Sequence, residues 1–254
     1  MARSVSRSRA KAPKPGFLGR HGNVYTYVPN LIGYARVAFA LYAFSVARTN
    51  PTRCFIFYLA SFVCDELDGR FARMFNQTST LGAVLDMVTD RVATSCLLAV
   101  LCTIYPSVQP IFLSLLMLDI FSHWFQMYAT LAMGSATHKD VHSRSFIVRF
   151  YYKHRIFMGF CCVCVEALYL FAYLLGHEEY QKWAPVGMPK AVLPIFSAAG
   201  LKLLPGGKVP LLYILCSLVI PGFIIKQAIN VVQLRTAAAQ LVAFDQKRGT
   251  KKKF

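Results

Sequence analysis

Long apolar runs alternate with short polar or proline-containing links along most of this chain. Six of the runs, at positions 29–47, 54–74, 81–105, 111–133, 156–175 and 210–234, approach or exceed the roughly 20 helical residues that cross about 30 Å of hydrocarbon. The pattern predicts an all-α, polytopic membrane protein with six transmembrane helices. The link at 76–80 is so short that the second and third helices must be antiparallel neighbours. The connection at 176–209 is long and broken by Pro185, Pro189, Pro194 and Pro205, with room for an interfacial helix. No repeat of 20 to 50 residues is present, which argues against a solenoid.

Composition agrees with this picture. Hydrophobic residues make up 56% of the 254 positions and charged residues 15%, against roughly 25% charged in a soluble domain. A net charge of +17 would fit a nucleic-acid binder, but the basic residues are distributed as in a membrane protein. Arg3, Arg7, Arg9, Lys11, Lys14 and Arg20 precede the first run, and Lys247, Arg248, Lys251, Lys252 and Lys253 follow the last. Positive residues stay on the cytosolic side, so both ends are expected there, as an even number of crossings requires. Lys139, Arg144, Arg149, Lys153 and Arg155 assign the fourth link to the same side. The expected division is a disordered basic tail at 1–25, a membrane domain at 26–240 and a second basic tail at 241–254. The first tail also has the composition of a transit peptide. Lysines three and four places from the carboxyl end, in Lys251-Lys252-Lys253-Phe254, match a dilysine signal for return to the endoplasmic reticulum. The eight cysteines all lie in apolar runs, where the thiol behaves as a small hydrophobe.

Acids are scarce, which makes their clustering informative. Of eleven Asp and Glu, five fall between positions 65 and 90: Asp65, Glu66, Asp68, Asp86 and Asp90. Residues three or four apart share a helix face. Asp65, Asp68, Gly69 and Ala72 therefore form one stripe at the end of the second helix, and Gly82, Asp86 and Asp90 form another at the start of the third. The short link lets the stripes face each other. Four converging carboxylates repel one another and need a cation, and hard oxygen donors favour Mg2+ or Mn2+. Gly69, Ala72 and Gly82 leave space for a large ligand on the same faces. Two ions beside such a groove suit in-line displacement at phosphorus. A purely structural alternative pairs the acids with Arg70, Arg73 and Arg91, but it leaves the small residues unexplained.

The full pattern, Asp65-x-x-Asp68-Gly69-x-x-Ala72-Arg73, eight residues, Gly82-x-x-x-Asp86-x-x-x-Asp90, resembles the signature of the CDP-alcohol phosphotransferases, with all eight specified positions present. The resemblance implies six membrane helices, a pair of divalent ions, a CDP-linked substrate, release of CMP by an attacking alcohol, and a homodimer. Flanking segments resemble the eukaryotic members of the family whose alcohol is inositol. They include Pro29-Asn30-Leu31-Ile32-Gly33-Tyr34-Ala35-Arg36, Leu118-Asp119-x-x-Ser122-His123-Trp124 and Arg149-x-Tyr151-Tyr152-x-x-Arg155. That likeness, from about position 28 to 244, implies transfer of a phosphatidyl group from CDP-diacylglycerol to myo-inositol in the endoplasmic reticulum membrane, with the active site on the cytosolic side. The chain departs from the pattern at Val165, before Glu166, where the resemblance calls for Asn. Glu166 accordingly has two readings, a direct role or a pairing inside the bundle.

Site and resemblance together assign Asp65, Asp68, Asp86 and Asp90 to the metals, with Asp90 also the general base. Gly69, Ala72, Arg73, Gly82 and Asn30 are expected to bind the CDP-lipid. Inositol, neutral and polyhydroxylic, needs several converging hydrogen bonds, for which Arg155, Ser122, His123 and Lys139 are the choices. His123 has a second reading, a packing histidine bonded to Asp119. Two alternatives stay open: a different acceptor such as glycerol 3-phosphate, serine or choline, and an ion transporter whose acids coordinate its cargo.

Overall fold

Helices occupy all six predicted positions. In the computed structural model, which describes residues 23–133, 151, 153–189, 191–198 and 204–251, they are α1 (Val28–Ser45), α2 (Pro51–Met74), α3 (Thr80–Ile104), α4 (Gln109–Ala132), α5 (Arg155–Leu175) and α6 (Leu211–Lys251). Two compact units result. Residues 23–45 and 56–90 form the first, and residues 46–55 with the described residues from 91 onward form the second.

Local chemistry fixes the ends of the helices that carry the aspartates. Asn50 caps α2 through its side-chain oxygen, which accepts from the Arg53 amide at 2.9 Å, and Pro51 follows at the first helical position, where a missing N–H costs nothing. At the other end the chain reverses through Asn76, in the left-handed region at φ 55°. The Gln77 amide donates to the Ala72 carbonyl at 2.9 Å and the Asn76 amide to Arg73 at 3.4 Å, closing the helix with a Schellman motif. Ser79 then caps α3, its hydroxyl accepting from the Gly82 amide at 3.0 Å. Gln77 is buried and accepts from the Val28 amide at 2.9 Å, so the hairpin between α2 and α3 is tied to the start of α1. Edge-to-face ring contacts, Phe39 with Phe57 at 5.9 Å and Phe44 with Tyr58 at 5.8 Å, pack α1 on α2.

In the second unit α4 and α5 both pack along α6. Gly222, next to Pro221 inside α6, lets α5 come close: a Cβ there would lie 2.5 Å from the Cys164 sulfur. The Tyr105 hydroxyl donates to the Ala172 carbonyl at 2.8 Å, and that of Tyr173 to Ala47 at 2.6 Å.

Three features differ from the sequence reading. Four stretches, Thr80–Ile104, Pro106–Ala132, Arg155–Leu175 and Leu211–Gln246, are long and apolar enough to cross a membrane. α1 and α2 are helical but fall outside that group, because α1 holds Asn30 and Arg36 while α2 carries six charged side chains. α6 continues well beyond position 234 and through the boundary expected at 240. Hydropathy ends near there, but Ala237, Ala238, Ala239, Gln240 and Leu241 are strong helix formers. The connection after α5 contains short helices Glu178–Gln181 and Leu193–Ala198, and also an antiparallel ladder, β1 (Pro185–Gly187) on β2 (Lys208–Pro210). The architecture is helical as expected, and those two three-residue strands are a local addition within the connection. Gly206 and Gly207, at φ 79° and 70°, supply the left-handed backbone just before β2.

Candidate active site

The first unit brings the two aspartate stripes together around a cation that neither stripe supplies. Arg36, on α1, is 2% exposed. Its Nη2 lies 2.6 Å from Asp65 Oδ1 and also contacts Asp90 Oδ1. Its Nη1 donates to Asp68 Oδ2 at 2.8 Å and Asp86 Oδ1 at 3.1 Å. Ser61, on α2, donates its hydroxyl to the Arg36 carbonyl at 3.0 Å, which fixes α1 against α2 at this level.

Four ionised carboxylates facing one guanidinium would carry a surplus of three negative charges. Buried like charges are costly unless compensated, and the donor set is right for a hard divalent cation. Oxygens of Asp65, Asp68 and Asp86 all lie within 4.8 Å of one another, so these three residues would hold a hard divalent ion after a small adjustment of their side chains. Asp90 joins this group through Arg36. The aspartates thus fit a divalent ion by ligand type and by convergence.

Beside them is a cleft of about 170 Å³ lined by Asn30, Asp68, Gly69, Ala72, Arg73, Gly82 and Asp86 among others. All five residues expected to meet the CDP-lipid line it. The two glycines work differently. A Cβ on Gly69 would meet only the flexible end of Arg73, 3.5 Å away, so that position keeps the cleft open. A Cβ on Gly82 would lie 2.7 Å from Asn30 Oδ1, so this glycine allows α1 to approach α3. Asn30 is itself buried and donates to the Val24 carbonyl at 2.6 Å.

The arginines named as structural partners do other things. Arg70 pairs with Glu66 at 2.8 Å on the exposed face of α2, and Arg73 is exposed at the cleft. Arg91 pairs with Asp119 at 2.6 Å in the second unit. The true partner, Arg36, was missed. Its signal was present, since it is the only charged residue of α1, and a lone arginine in an apolar helix demands an anion.

The residues considered for inositol belong to the second unit. Ser122 is fully buried, and its hydroxyl lies 3.1 Å from the Asp119 carbonyl and 3.1 Å from His123 Nδ1. His123 Nδ1 is 2.8 Å from the same carbonyl and 3.5 Å from Asp119 Oδ1. Arg155 is exposed at the start of α5. Lys139 lies outside the described residues. Glu166 accepts from the Thr94 hydroxyl at 2.7 Å, a contact within the bundle.

Comparison with known proteins gives the family. Residues 26–188 match the CDP-alcohol phosphatidyltransferase family, and the chain belongs to that family. Its relatives narrow the class further. The chain is 46% identical over 232 residues to a probable CDP-diacylglycerol–inositol 3-phosphatidyltransferase 2 of Arabidopsis thaliana, covering 91% of this chain and 96% of the relative. It is 41% identical over 236 residues to the CDP-diacylglycerol–inositol 3-phosphatidyltransferase of Schizosaccharomyces pombe, covering 91% and 95%. It is 33% identical over 232 residues to that of Homo sapiens, covering 91% and 98%. No solved structure matches the chain.

Proposed function

We propose that the protein is a phosphatidylinositol synthase, which transfers the phosphatidyl group of CDP-diacylglycerol to myo-inositol and releases CMP. The observation that carries this reading is the convergence of Asp65, Asp68, Asp86 and Asp90 beside a cleft lined by small residues, in a chain similar over nine-tenths of its length to inositol 3-phosphatidyltransferases. In the reaction an inositol hydroxyl oxygen bonds to the lipid-side phosphorus, and the bond from that phosphorus to the CMP oxygen breaks. Asp90 takes the hydroxyl proton as general base. Asp65, Asp68 and Asp86, with Asp90 at the edge, hold Mg2+ or Mn2+, two ions in all. When bound, such ions offset the charge of the diphosphate and of the departing CMP. Gly69, Ala72, Arg73, Gly82 and Asn30 receive the nucleotide end of the lipid, Arg73 as a phosphate contact. Arg155, Ser122, His123 and Lys139 supply hydrogen bonds to inositol.

The membrane domain at 26–240 crosses the endoplasmic reticulum membrane six times, with basic tails at 1–25 and 241–254. Both tails and the aspartates are on the cytosolic side, and two copies form a homodimer. The basic residues flanking the first and last helices support that orientation.

The test is an acceptor panel. Detergent-purified protein given CDP-diacylglycerol and Mg2+ or Mn2+ should release CMP with myo-inositol and stay at background with serine, choline or glycerol 3-phosphate. CMP release with one of those and none with inositol would assign a different acceptor. Cation flux in proteoliposomes without any CDP-lipid requirement would instead point to transport.

A further inference from the structure

Arg36 has a chemistry that holding ions or lipid does not explain. Both terminal nitrogens of its guanidinium face the aspartates, and between them they reach all four. The side chain is taken out of water almost completely, which is tolerable for a cation only where anions replace the lost hydration. The carboxylates need it equally, because without a cation their mutual repulsion would drive α2 and α3 apart. One arginine therefore keeps the cluster assembled.

The same geometry makes it a competitor. Its contacts include Asp65 Oδ1, Asp68 Oδ2 and Asp86 Oδ1, on the three aspartates whose oxygens converge closely enough to share an ion. A divalent ion held by these three aspartates would compete with the guanidinium for the same carboxylates. Arg36 has the means to yield part of its hold. It is tethered through its backbone to Ser61 while its side chain is long, and its Nε is a buried donor with no acceptor among the described residues.

Resting on the reading of this cluster as a divalent-ion site, we propose that Arg36 is an internal counter-cation: it holds the four aspartates together before metal binds and is displaced from their oxygens when metal binds. Metal uptake is then an exchange of one cation for another. Arg36 acts as a positioning residue, and the observed affinity for the ion is lowered by the strength of its own contacts, as for any occupied state that must first be vacated.

The test measures binding of Mn2+ alone to the full chain in detergent, by loss of the free-ion electron paramagnetic resonance signal, with melting followed in parallel. Arg36→Gln should bind Mn2+ at least tenfold more tightly than the wild type. It should also melt lower in chelator and gain more from Mn2+ than the wild type does. Failure of this variant to stay folded in chelator, with recovery on adding Mn2+, supports the same conclusion. If it cannot be purified under either condition, Arg36→Lys replaces it, since a single ammonium cannot bridge four carboxylates, and several-fold tighter binding is expected. Mn2+ affinity equal to or weaker than wild type in the folded variants would overturn the proposal while leaving the divalent site intact. Absence of Mn2+ binding in wild type and variants alike would overturn both. Turnover enters none of these readouts, so the choice of acceptor alcohol does not affect them.

Discussion

The two units handle buried charge in opposite ways. In the second unit the buried charged groups each meet a partner of their own: Arg91 with Asp119 at 2.6 Å, Glu166 with Thr94 at 2.7 Å, and Lys226 with Asn230 at 2.7 Å, its ammonium also 5.6 Å from the centre of the Tyr151 ring. In the first unit one arginine serves four aspartates. Such pairs give each buried charged group at least one partner. A surplus of carboxylates has no structural use and a definite cost, so it marks the place where the molecule takes up something from outside. Buried charge alone does not distinguish the two regions. The ratio of anions to cations does.

The comparison predicts that substituting the first unit's clustered aspartates damages activity, whereas breaking the Arg91–Asp119 pair of the second damages stability. The largest effect is expected at Asp90. Asp90→Asn should lower turnover by about 10²–10⁴-fold, the range for loss of a general base, while CDP-lipid binding and yield stay near normal. Near-wild-type turnover would remove Asp90 from that role. Chelation should abolish CMP release just as fully, and either Mg2+ or Mn2+ should restore it. Activity that survives exhaustive chelation would count against the divalent reading.

Asp119→Asn should remove the carboxylate that faces Arg91 at 2.6 Å and destabilise the folded protein by about 3 kcal/mol, the low end for breaking a buried pair, because Arg91 keeps some exposure. Replacing both partners with apolar residues should recover most of that loss, which thermal melting in detergent can check. If Asp119→Asn left stability untouched and removed inositol-dependent turnover alone, Asp119 would move from structure to site. The glycines give a smaller and sharper contrast. Gly82→Ala forces a Cβ against Asn30 and should cost about 1–3 kcal/mol as an overpacked contact. Gly69→Ala meets only a flexible guanidinium, so it should leave melting unchanged and raise the KM for the CDP-lipid. The smallest effect is at Glu66, whose pair with Arg70 is two-thirds exposed on both sides. Glu66→Gln should change stability by less than about 1 kcal/mol and leave turnover unaffected, although it lies within two residues of Asp65 and Asp68.

Much of the first unit was legible in the sequence because its information is local. The aspartate spacing defined two helix faces, and Asn50-Pro51, Asn76 and Ser79 stop and start α2 and α3 through contacts within a few residues. The spacing of Asp65, Asp68 and Asp86 alone is therefore enough to bring them together. Arg36 could not be assigned in the same way, since its partners are 29 to 54 positions away and only tertiary packing selects it over the nearer Arg70 and Arg73. Gly82 illustrates a related limit. Its small size was legible, but whether the space it leaves belongs to a ligand or to Asn30 depends on how α1 approaches. The length of α6 was misread because hydropathy and helix propensity part company after Leu234. The ladder of β1 and β2 was missed because prolines and Gly206-Gly207 carry the signals of a loop, and pairing across 20 intervening residues leaves no local trace.

The central claim is that the aspartate cluster and inositol belong to one reaction. It is tested most directly by incorporation of labelled myo-inositol into organic-extractable lipid, with CDP-diacylglycerol and Mn2+ supplied, in membranes carrying either the wild type or Asp86→Asn at equal protein levels. The expected result is incorporation by the wild type that requires CDP-diacylglycerol, and background incorporation by the variant. Equal incorporation by both would contradict it.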